Sequence, residues 1–174
     1  RLFTYAAYAD KYGGTLQETV LRGLTIAVNE PIGVVGVACS DDAPLLGFIS
    51  TIAPLIARGN SVVVLPSQTH PLSATDFYQV LETSDVPGGV VNIVTGNRDH
   101  LVKTLAAHDD VDAMWYFGTA EGSYHVEKLS AENMKRTWVN YGEPIDWFDD
   151  TQGMGARFLR HSTQVKNIWV PTGE

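Results

Sequence analysis

Short runs of small and β-branched residues alternate with helical patterns along most of the chain. The first run, residues 32–38, has the composition of a strand that is buried on both faces. Four further runs cover residues 61–65, 90–94, 112–117 and 135–140. The helical patterns between the runs cover residues 44–58, 71–82, 98–107 and 120–129. This alternation predicts an α/β fold with a doubly wound parallel sheet, which binds ligands at the carboxyl ends of its strands.

The two ends of the chain lie outside this alternation. Apolar residues with helical spacing open the chain, and two β-rich runs, 15–20 and 24–29, joined around Arg22, predict a hairpin. Residues 142–155 predict a loop, and a last β-rich run covers residues 162–170. Because this last run has no helix of its own, we expect it to pair either with the hairpin or with another subunit.

The net charge of the chain limits the partners that it can bind. Its 174 residues, enough for one domain, carry 12 Lys and Arg against 20 Asp and Glu, which gives a net charge of -8. Binding to nucleic acid and to anionic membranes depends on positive charge. The longest uncharged apolar stretch, residues 43–57, is too short to cross a bilayer. We therefore expect neither nucleic acid nor a membrane among the partners.

A single cysteine, Cys39, excludes an internal disulfide framework and a zinc site built from cysteines. A reducing, cytoplasmic compartment is the simplest setting for such a chain. The histidines show no i, i+4 spacing, so we expect no metal site. Because Arg1 begins directly in a helical pattern without an initiator Met, we expect the chain to be a segment of a longer protein.

Polar residues follow the first buried strand, at the edge where this architecture places its ligands. Cys39 needs a base or a cation to become a nucleophile, and its neighbours Asp41 and Asp42 have the opposite effect, so we predict a buried cysteine. The two aspartates fit a general base or a metal ligand, but we favour an N-cap for the helix that opens near Pro44.

Gly118 and Thr119 follow the fourth strand at the same edge. Thr119 fits two roles equally well, as an N-cap for the next helix or as part of a backbone N–H site for a pyrophosphate. No glycine fingerprint of a dinucleotide fold follows a strand, and the nearest candidate, Gly33-Val-Val-Gly36, lies inside the first strand. The residues alone therefore allow a nucleotide site without requiring one.

Four phrases occur in a fixed order along the chain, namely NEPIGVVG at 29–36, LIARGNSVVV at 55–64, Pro66-Ser67 with Pro71-Leu72, and PGGVVNIVTG at 87–96. Together they resemble the aldehyde dehydrogenase superfamily over residues 5–142. The resemblance implies a Rossmann-like, NAD(P)-binding-type domain over residues 31–141. It also implies an oligomerisation arm, built from the N-terminal helix, the hairpin and the C-terminal strand in residues 1–30 and 142–174, and a homodimer.

The same resemblance gives candidate site residues. The candidates for cofactor binding are Gly96, Gly118 and Thr119. The candidates for the interface, all on the C-terminal strand, are Val165, Ile168 and Trp169. No residue is assigned to catalysis or to a metal.

The chain departs from the family at the positions that carry its chemistry. The oxyanion asparagine of the family falls at Asp42, where a carboxylate would repel developing negative charge. The lysine that holds the cofactor ribose falls at Leu65, its partner glutamate at Gln68, and the base glutamate near Val139. Residues 143–161 stand where the family carries a whole catalytic domain with its nucleophilic cysteine, so the catalytic domain is absent. The resemblance thus implies a module that does not oxidise aldehydes by itself.

Within the superfamily, this pattern is similar to the silent second module of the two-module aldehyde dehydrogenases (family sixteen). We therefore expect a non-catalytic module that gives an active, NAD-dependent aldehyde dehydrogenase a dimer-type interface. Its partner would be a catalytic module of the same chain or of another subunit. We expect no cofactor, and the first alternative is a module that still binds NAD or NADP. The second alternative is an independent enzyme that uses Cys39 or Asp42.

Overall fold

The computed structural model describes residues 1–20 and 23–171. The strands, in chain order, are β1 Thr15–Gln17, β2 Leu24–Pro31, β3 Val34–Ala38, β4 Ser61–Leu65, β5 Val91–Ile93, β6 Ala113–Tyr116, β7 Arg136–Val139 and β8 Thr163–Val170. The helices are α1 Leu2–Tyr8, α2 Pro44–Ala57, α3 Leu72–Thr75, α4 Tyr78–Thr83, α5 Arg98–Ala107, α6 Ala120–Ser130, α7 Asp150–Gly153 and α8 Ala156–His161. In the described part of the chain, the strands form one parallel and one antiparallel sheet.

The parallel sheet confirms the predicted α/β fold class. Its strand order is β5-β4-β3-β6-β7, and all neighbouring strands are parallel. The central strand β3 pairs through Val35 with Val62 of β4 and with Ala113 of β6. The chain adds strands on one side of β3 and then on the other, so the strand order reverses between β3 and β6. A crevice for ligands opens at such a point, beyond the carboxyl ends of the two strands.

Apolar clusters cover both faces of the parallel sheet. Successive side chains of β6 point to opposite faces, so Trp115 belongs to one cluster and Met114 and Tyr116 belong to the other. The first cluster contains Phe48 of α2 and Phe158 of α8. The second cluster contains buried residues of α5 and α6. Burial on both faces explains why the strands are continuous apolar runs.

Two helical regions differ from the sequence prediction. The helix predicted over residues 71–82 is two short helices, α3 and α4, because the amides of Phe77 and Gln79 bond to the carbonyls three residues before them. The loop predicted over residues 142–155 contains α7, which Asp149 caps by accepting a hydrogen bond from the backbone of Thr151 (2.8 Å). The short helix α8 follows before β8 begins.

The antiparallel sheet joins the two ends of the chain, in the order β1-β2-β8. β2 pairs with β1 and, from Leu24↔Val170 to Pro31↔Thr163, with β8. The C-terminal strand therefore pairs with the hairpin of its own chain. The turn expected at Arg22 lies outside the described residues. Across residues 1–20 and 23–171, no helix is long and apolar enough to cross a membrane.

Candidate functional site

A cleft of about 290 Å³ opens where the strand order reverses. It is lined by residues 40–42 after β3, by residues 117–119 after β6 and by residues from the segment 140–147 after β7, together with Arg98 at the start of α5. Because the strands are parallel, their carboxyl ends bring these segments to one edge of the sheet. The cleft therefore lies at the edge where this fold class binds its ligands.

Asp41 connects the loop after β3 to the loop after β4. Its Oδ1 accepts hydrogen bonds from Ser67 Oγ (2.8 Å) and from the backbone amide of Gln68 (2.8 Å), and its Oδ2 lies 3.1 Å from Arg98 Nη1. Partial burial raises the pKa of Asp41. The hydrogen bonds from Ser67 and Thr69 and the charge of Arg98 outweigh burial and hold the pKa below its usual value. Asp41 is thus a fixed anion in the wall of the cleft.

The N-cap predicted for the two aspartates is wrong. The residue before α2 is Ala43, in the left-handed region at φ 51°, and none of the described side chains caps this helix. Asp41 instead bonds to groups that are distant in sequence, and Asp42 accepts a hydrogen bond from Ser40 Oγ (3.2 Å). Both carboxylates therefore line the cleft.

Arg98 links α5 to the end of β3. Its Nη1 donates a hydrogen bond to the carbonyl of Cys39 (3.0 Å), and its guanidinium lies 6.0 Å from the centre of the Tyr116 ring. Only 14% of the side chain is exposed, and Nε has no hydrogen-bond partner among the described residues. Sequence reasoning missed Arg98, although a charged residue where a helix begins at this edge was an available signal.

Cys39 is fully buried directly after β3, which confirms the predicted buried cysteine. Its Sγ lies 3.7 Å from Thr51 Oγ1. Burial raises the pKa of the Cys39 thiol to about 12, and the bond to Thr51 offsets this only in part. Because the thiolate is the nucleophilic form of cysteine, the raised pKa disfavours a nucleophilic role for Cys39 near neutral pH.

The three candidate cofactor residues do not come together. Gly118 and Thr119 line the cleft, and Thr119 Oγ1 caps α6 by accepting a hydrogen bond from the amide of Gly122 (3.0 Å). Gly96 is exposed in the turn before α5 and is not part of the lining. The amide of Gly118 donates a hydrogen bond to Asn140 Oδ1 (3.0 Å), a residue that sequence reasoning did not single out.

The positions that depart from the family pattern have structural roles. Leu65 is buried in the cluster that α5 and α6 cover, and Val139 packs against the same cluster. Gln68 Oε1 accepts a hydrogen bond from the backbone amide of Arg98 (2.8 Å). Apolar packing and internal hydrogen bonds therefore replace the lysine, the glutamate and the base that the resemblance places there.

The lining of the cleft carries acids, amides and the hydroxyls of Ser40 and Thr119. Of the described residues that line it, none is a cysteine, a histidine or a lysine. Three carboxylates, on Asp41, Asp42 and Glu143, stand against the single guanidinium of Arg98. Outside residues 21–22 and 172–174, no three metal-ligating side chains come together. Among its described residues, the lining therefore has no thiol and no imidazole or amine that could serve as a base for one of its hydroxyls.

One face of the antiparallel sheet is apolar near Leu24 and carries the ion pair of Lys166 with Glu30 (3.0 Å) towards its other end. Residues directly opposite each other in antiparallel strands share a face, and the register gives Leu16↔Ile26, Ile26↔Ile168 and Leu24↔Val170. Leu16 is 67% exposed and Ile168 is 39% exposed. We name the side chains of Leu16, Leu24, Ile26, Ile168 and Val170 the arm face.

The three candidate interface residues divide between the two faces of this sheet. Ile168 belongs to the arm face, whereas Trp169 and Val165 lie on the opposite face, across from Thr25 and Asn29. All three candidate side chains are exposed. The two-residue period of a strand separates them, so they cannot all contact one flat partner surface. Their role in an interface stays a prediction.

Comparison with known proteins places the chain among aldehyde dehydrogenases. The Aldehyde dehydrogenase family matches residues 1–143. The NADP/NAD-dependent aldehyde dehydrogenase PuuC of Escherichia coli (strain K12) is 34% identical over 139 residues, which are 79% of this chain and 28% of that protein. An aldehyde dehydrogenase of Agaricus bisporus is 36% identical over 149 residues, 84% of this chain and 30% of that protein. The chain spans less than a third of the length of these relatives.

A solved structure has the same fold over most of the chain. The apo G234S mutant of betaine aldehyde dehydrogenase from Staphylococcus aureus superposes with a TM-score of 0.75 at 29% identity. The match covers 81% of this chain and 28% of that protein. The parallel sheet and its helices are therefore a part of the aldehyde dehydrogenase fold.

Proposed function

Because the chain belongs to the aldehyde dehydrogenase family, we propose that it is a non-catalytic module that provides a dimer-type interface to an active, NAD-dependent aldehyde dehydrogenase. Its partner is a catalytic module of the same chain or of another subunit, and the chain by itself pairs with a second copy. The observation that carries the proposal is the arm face, where the apolar side chains lie on a regular sheet and all but the partly buried Ile26 remain exposed. Exposed apolar patches of this kind mark protein–protein interfaces.

The composition of the cleft supports the non-catalytic part of the proposal. Cys39 is buried, and burial raises the pKa of its thiol to about 12, which opposes a nucleophilic role. Asp42 brings negative charge to the position where the family stabilises an oxyanion, and loss of one oxyanion donor costs about 2.7–4 kcal/mol of transition-state stabilisation. Val139 offers no carboxylate at the position of the base.

The packing of residues 143–161 supports the proposal of a module whose hydrophobic core is completed by its own side chains. Trp147, Phe158 and Leu159 are buried in the cluster that contains α2. The ring centres of Phe117 and Trp147 are 5.4 Å apart. This short segment stands where the family resemblance places a whole catalytic domain, and it covers the sheet with aromatic side chains.

The finer parts of the proposal concern the place of the chain in a larger enzyme and the cellular compartment. We propose that the chain corresponds to the silent second module of the two-module aldehyde dehydrogenases, in the cytoplasm, where its single cysteine stays reduced. In this proposal, residues 31–141 form the Rossmann-like domain. Residues 1–30 and 142–174 form the arm, with Val165, Ile168 and Trp169 at the interface.

Substitution of Ile168 by Asp tests the interface. The change places a charge inside the arm face, and because Ile168 is partly exposed, the fold should persist by circular dichroism. We expect the wild-type chain to have twice the monomer mass by size-exclusion chromatography with light scattering. Ile168→Asp should have the monomer mass, since burial of an unpaired carboxylate opposes association.

Leu72→Asp is the matched control for this experiment. Leu72 is 71% exposed on α3, so the same chemical change is made on another element. This variant should keep the wild-type mass. The proposal is wrong if Ile168→Asp keeps the dimer mass, or if the wild-type chain is monomeric and also fails to bind a catalytic aldehyde dehydrogenase module.

An activity assay tests the non-catalytic part separately. The purified chain is incubated with NAD⁺ and acetaldehyde, and NADH formation is followed by absorbance. We expect no turnover above a sample without protein. Turnover that disappears in Cys39→Ser would show that the chain is an independent enzyme.

A further inference from the structure

The N-terminus of α6 is the place where a dinucleotide pyrophosphate would bind to this fold. A helix that begins after a strand at the reversal of strand order offers free backbone N–H groups to phosphate. Here those groups belong to Gly118, to Thr119 and to the first turn of α6. Whether the chain fits the family's cofactor therefore depends on whether these N–H groups are available.

Side chains of the protein already accept hydrogen bonds from three of these N–H groups. The amide of Gly118 donates to Asn140 Oδ1 (3.0 Å), and the amide of Thr119 donates to Tyr116 Oη (3.3 Å). The amide of Gly122 donates to Thr119 Oγ1 (3.0 Å). We infer that the chain closes its own dinucleotide groove, with the oxygens of Tyr116 and Asn140 in the place of a pyrophosphate.

Packing of the Tyr116 ring explains two glycines near this helix terminus. Tyr116 is fully buried. A Cβ at Gly118 would lie 2.6 Å from Tyr116 Oη, and a Cβ at Gly122 would overlap the same ring. Both glycines therefore make room for a side chain of the protein. Their presence needs no phosphate to explain it.

The turn after β7 covers the first turn of α6. Gly142 has φ +80°, and a Cβ on it would lie 3.4 Å from the amide nitrogen of Ala120. The amide of Tyr141 donates a hydrogen bond to Ser123 Oγ (3.0 Å), which fixes the turn on the helix. A cofactor phosphate at this terminus would have to displace the turn as well as the two side-chain oxygens.

Charge opposes a dinucleotide in the remaining cleft. The carboxylates of Asp41, Asp42 and Glu143 line it, and a pyrophosphate would add further negative charge. The guanidinium of Arg98 is already bound to Asp41 and to the carbonyl of Cys39.

The hydrogen bonds to Tyr116 and Asn140 thus hold β6, α6 and the turn after β7 together, and we name this set of contacts the lock. It is independent of the arm face, because none of its residues belongs to the antiparallel sheet. A chain with this lock neither binds the dinucleotide nor reports it to a partner. The failure of this inference would leave the proposed interface untouched.

Titration of the ¹⁵N-labelled chain with NAD⁺ and NADP⁺ tests the closure directly. The backbone amide signals of Gly118, Thr119 and Gly122 report on the groove. We expect these signals to stay in place up to millimolar cofactor. A saturable shift of any of these signals, with either cofactor, would overturn the inference.

Hydrogen exchange of the Gly118 amide tests the role of Asn140. We expect Asn140→Ala to speed this exchange severalfold, because the amide loses its acceptor. Asn133→Ala is the matched control, since Asn133 Nδ2 donates to the carbonyl of Asp109 (3.1 Å) on another part of the surface. The control should leave the Gly118 exchange rate unchanged. An unchanged rate in Asn140→Ala would overturn the assignment of Asn140 to the lock.

A double-mutant cycle tests the link between Gly122 and Tyr116. Gly122→Ala should lower the urea midpoint of the wild-type chain, because the new methyl group overlaps the Tyr116 ring. In a Tyr116→Ala background, the same change should have little effect. Equal effects in both backgrounds would show that Gly122 and the Tyr116 ring are not energetically coupled, which would contradict the lock. If Gly122→Ala does not fold alone, folding of the double variant provides the same test.

Discussion

The cleft and the arm face differ in whether their side chains and amides already have partners within the chain. In the cleft, the amides of Gly118 and Thr119 and the carboxylate of Asp41 all have partners within the chain. On the arm face, large apolar side chains such as Leu16 and Ile168 remain exposed. Polar groups lose free energy when they are buried without partners, whereas apolar side chains gain free energy only when a second surface covers them.

This difference indicates which region interacts with other molecules. A ligand in the cleft must first displace internal hydrogen bonds, so much of its binding free energy is offset. A partner on the arm face gains roughly 25 cal/mol for each Å² of apolar surface that it covers. Substitutions near the cleft should therefore change stability, and substitutions on the arm face should change association.

The largest effect is expected for Phe158→Ala, in the segment that closes the sheet beside the cleft. The Phe158 ring is fully buried, with its centre 6.2 Å from that of Trp115 and 4.9 Å from that of Trp138. We expect a loss of about 3–5 kcal/mol in the free energy of unfolding, as for other buried aromatic side chains. Urea unfolding followed by tryptophan fluorescence measures it.

Phe148→Ala is the matched control for Phe158→Ala. Phe148 is 77% exposed and lies in the same segment. Its truncation should change the free energy of unfolding by about 0.5 kcal/mol or less. Similar values for the two variants would show that the segment does not close the core.

The second effect is a pH dependence that originates in α8. His161 stacks on Trp138 at 4.0 Å between ring centres, and burial, with a smaller contribution from the Arg136 charge, lowers the pKa of His161 to about 4. In the unfolded chain this pKa is about 6.5. Between these values the unfolded chain binds a proton that the folded chain excludes, so stability is full above pH 6.5 and falls towards pH 4.

His161→Phe should remove this part of the pH dependence. The wild-type chain should lose roughly 2 kcal/mol between pH 6.5 and pH 4 from this residue, less than about 1.4 kcal/mol per pKa unit would give, because the ring is only half-buried and solvent screens its surroundings. Urea unfolding at a series of pH values measures the slope for both proteins. Identical slopes would mean that His161 binds its proton equally well in the folded and the unfolded chain, which contradicts the lowered pKa.

The parallel sheet could be predicted from the sequence, whereas α8 could not. Each buried strand is a run of β-branched residues between turn signals, and such a local pattern needs no knowledge of the rest of the chain. The short helix α8 buries only Phe158 and Leu159, which is too few for a helical period. Its position depends on the aromatic cluster that it joins, so only the tertiary structure shows it.

The position of the candidate site could be predicted from the sequence, but the contacts between its side chains could not. The edge of the sheet follows from the fold class, yet the partners of Asp41 are Ser67 and Arg98, which are distant in sequence. A capping rule considers only neighbours along the chain and therefore assigned Asp41 to α2. The assignment of Ile168 and Trp169 to opposite faces of β8 could have been predicted from the two-residue period of a strand.

The third effect concerns Asp41, which balances the nearly buried charge of Arg98. Asp41→Ala removes a charged acceptor of several hydrogen bonds, which contribute about 1.5–3 kcal/mol when buried. Because 34% of the Asp41 side chain is exposed, solvent screens the pair and we expect the lower end of this range. Asp42→Ala is the control and should cost less, since Asp42 bonds only to Ser40 among the described side chains.

The pH dependence of Asp41→Ala gives a second measurement. The pKa of Asp41 is lowered in the folded chain relative to about 3.9 in the unfolded chain. Its charge therefore stabilises the fold above about pH 4, and this contribution is lost as the pH falls through the folded pKa. The stability difference between the wild-type chain and Asp41→Ala should shrink below pH 4. A difference that stays constant down to acid pH would mean that the charge of Asp41 has no part in it.

The smallest effect is expected on the arm face, and it should appear in association rather than in stability. Ile168→Ala should change the unfolding free energy of the monomer by about 0.5 kcal/mol or less, because the side chain is partly exposed. The lost apolar surface should raise the dimer dissociation constant by about fivefold, which corresponds to roughly 1 kcal/mol. Leu72→Ala, on α3 and outside the antiparallel sheet, should leave this constant unchanged. Sedimentation equilibrium measures both variants, and a stability loss without weaker association would make the arm face part of the folded core rather than an interface.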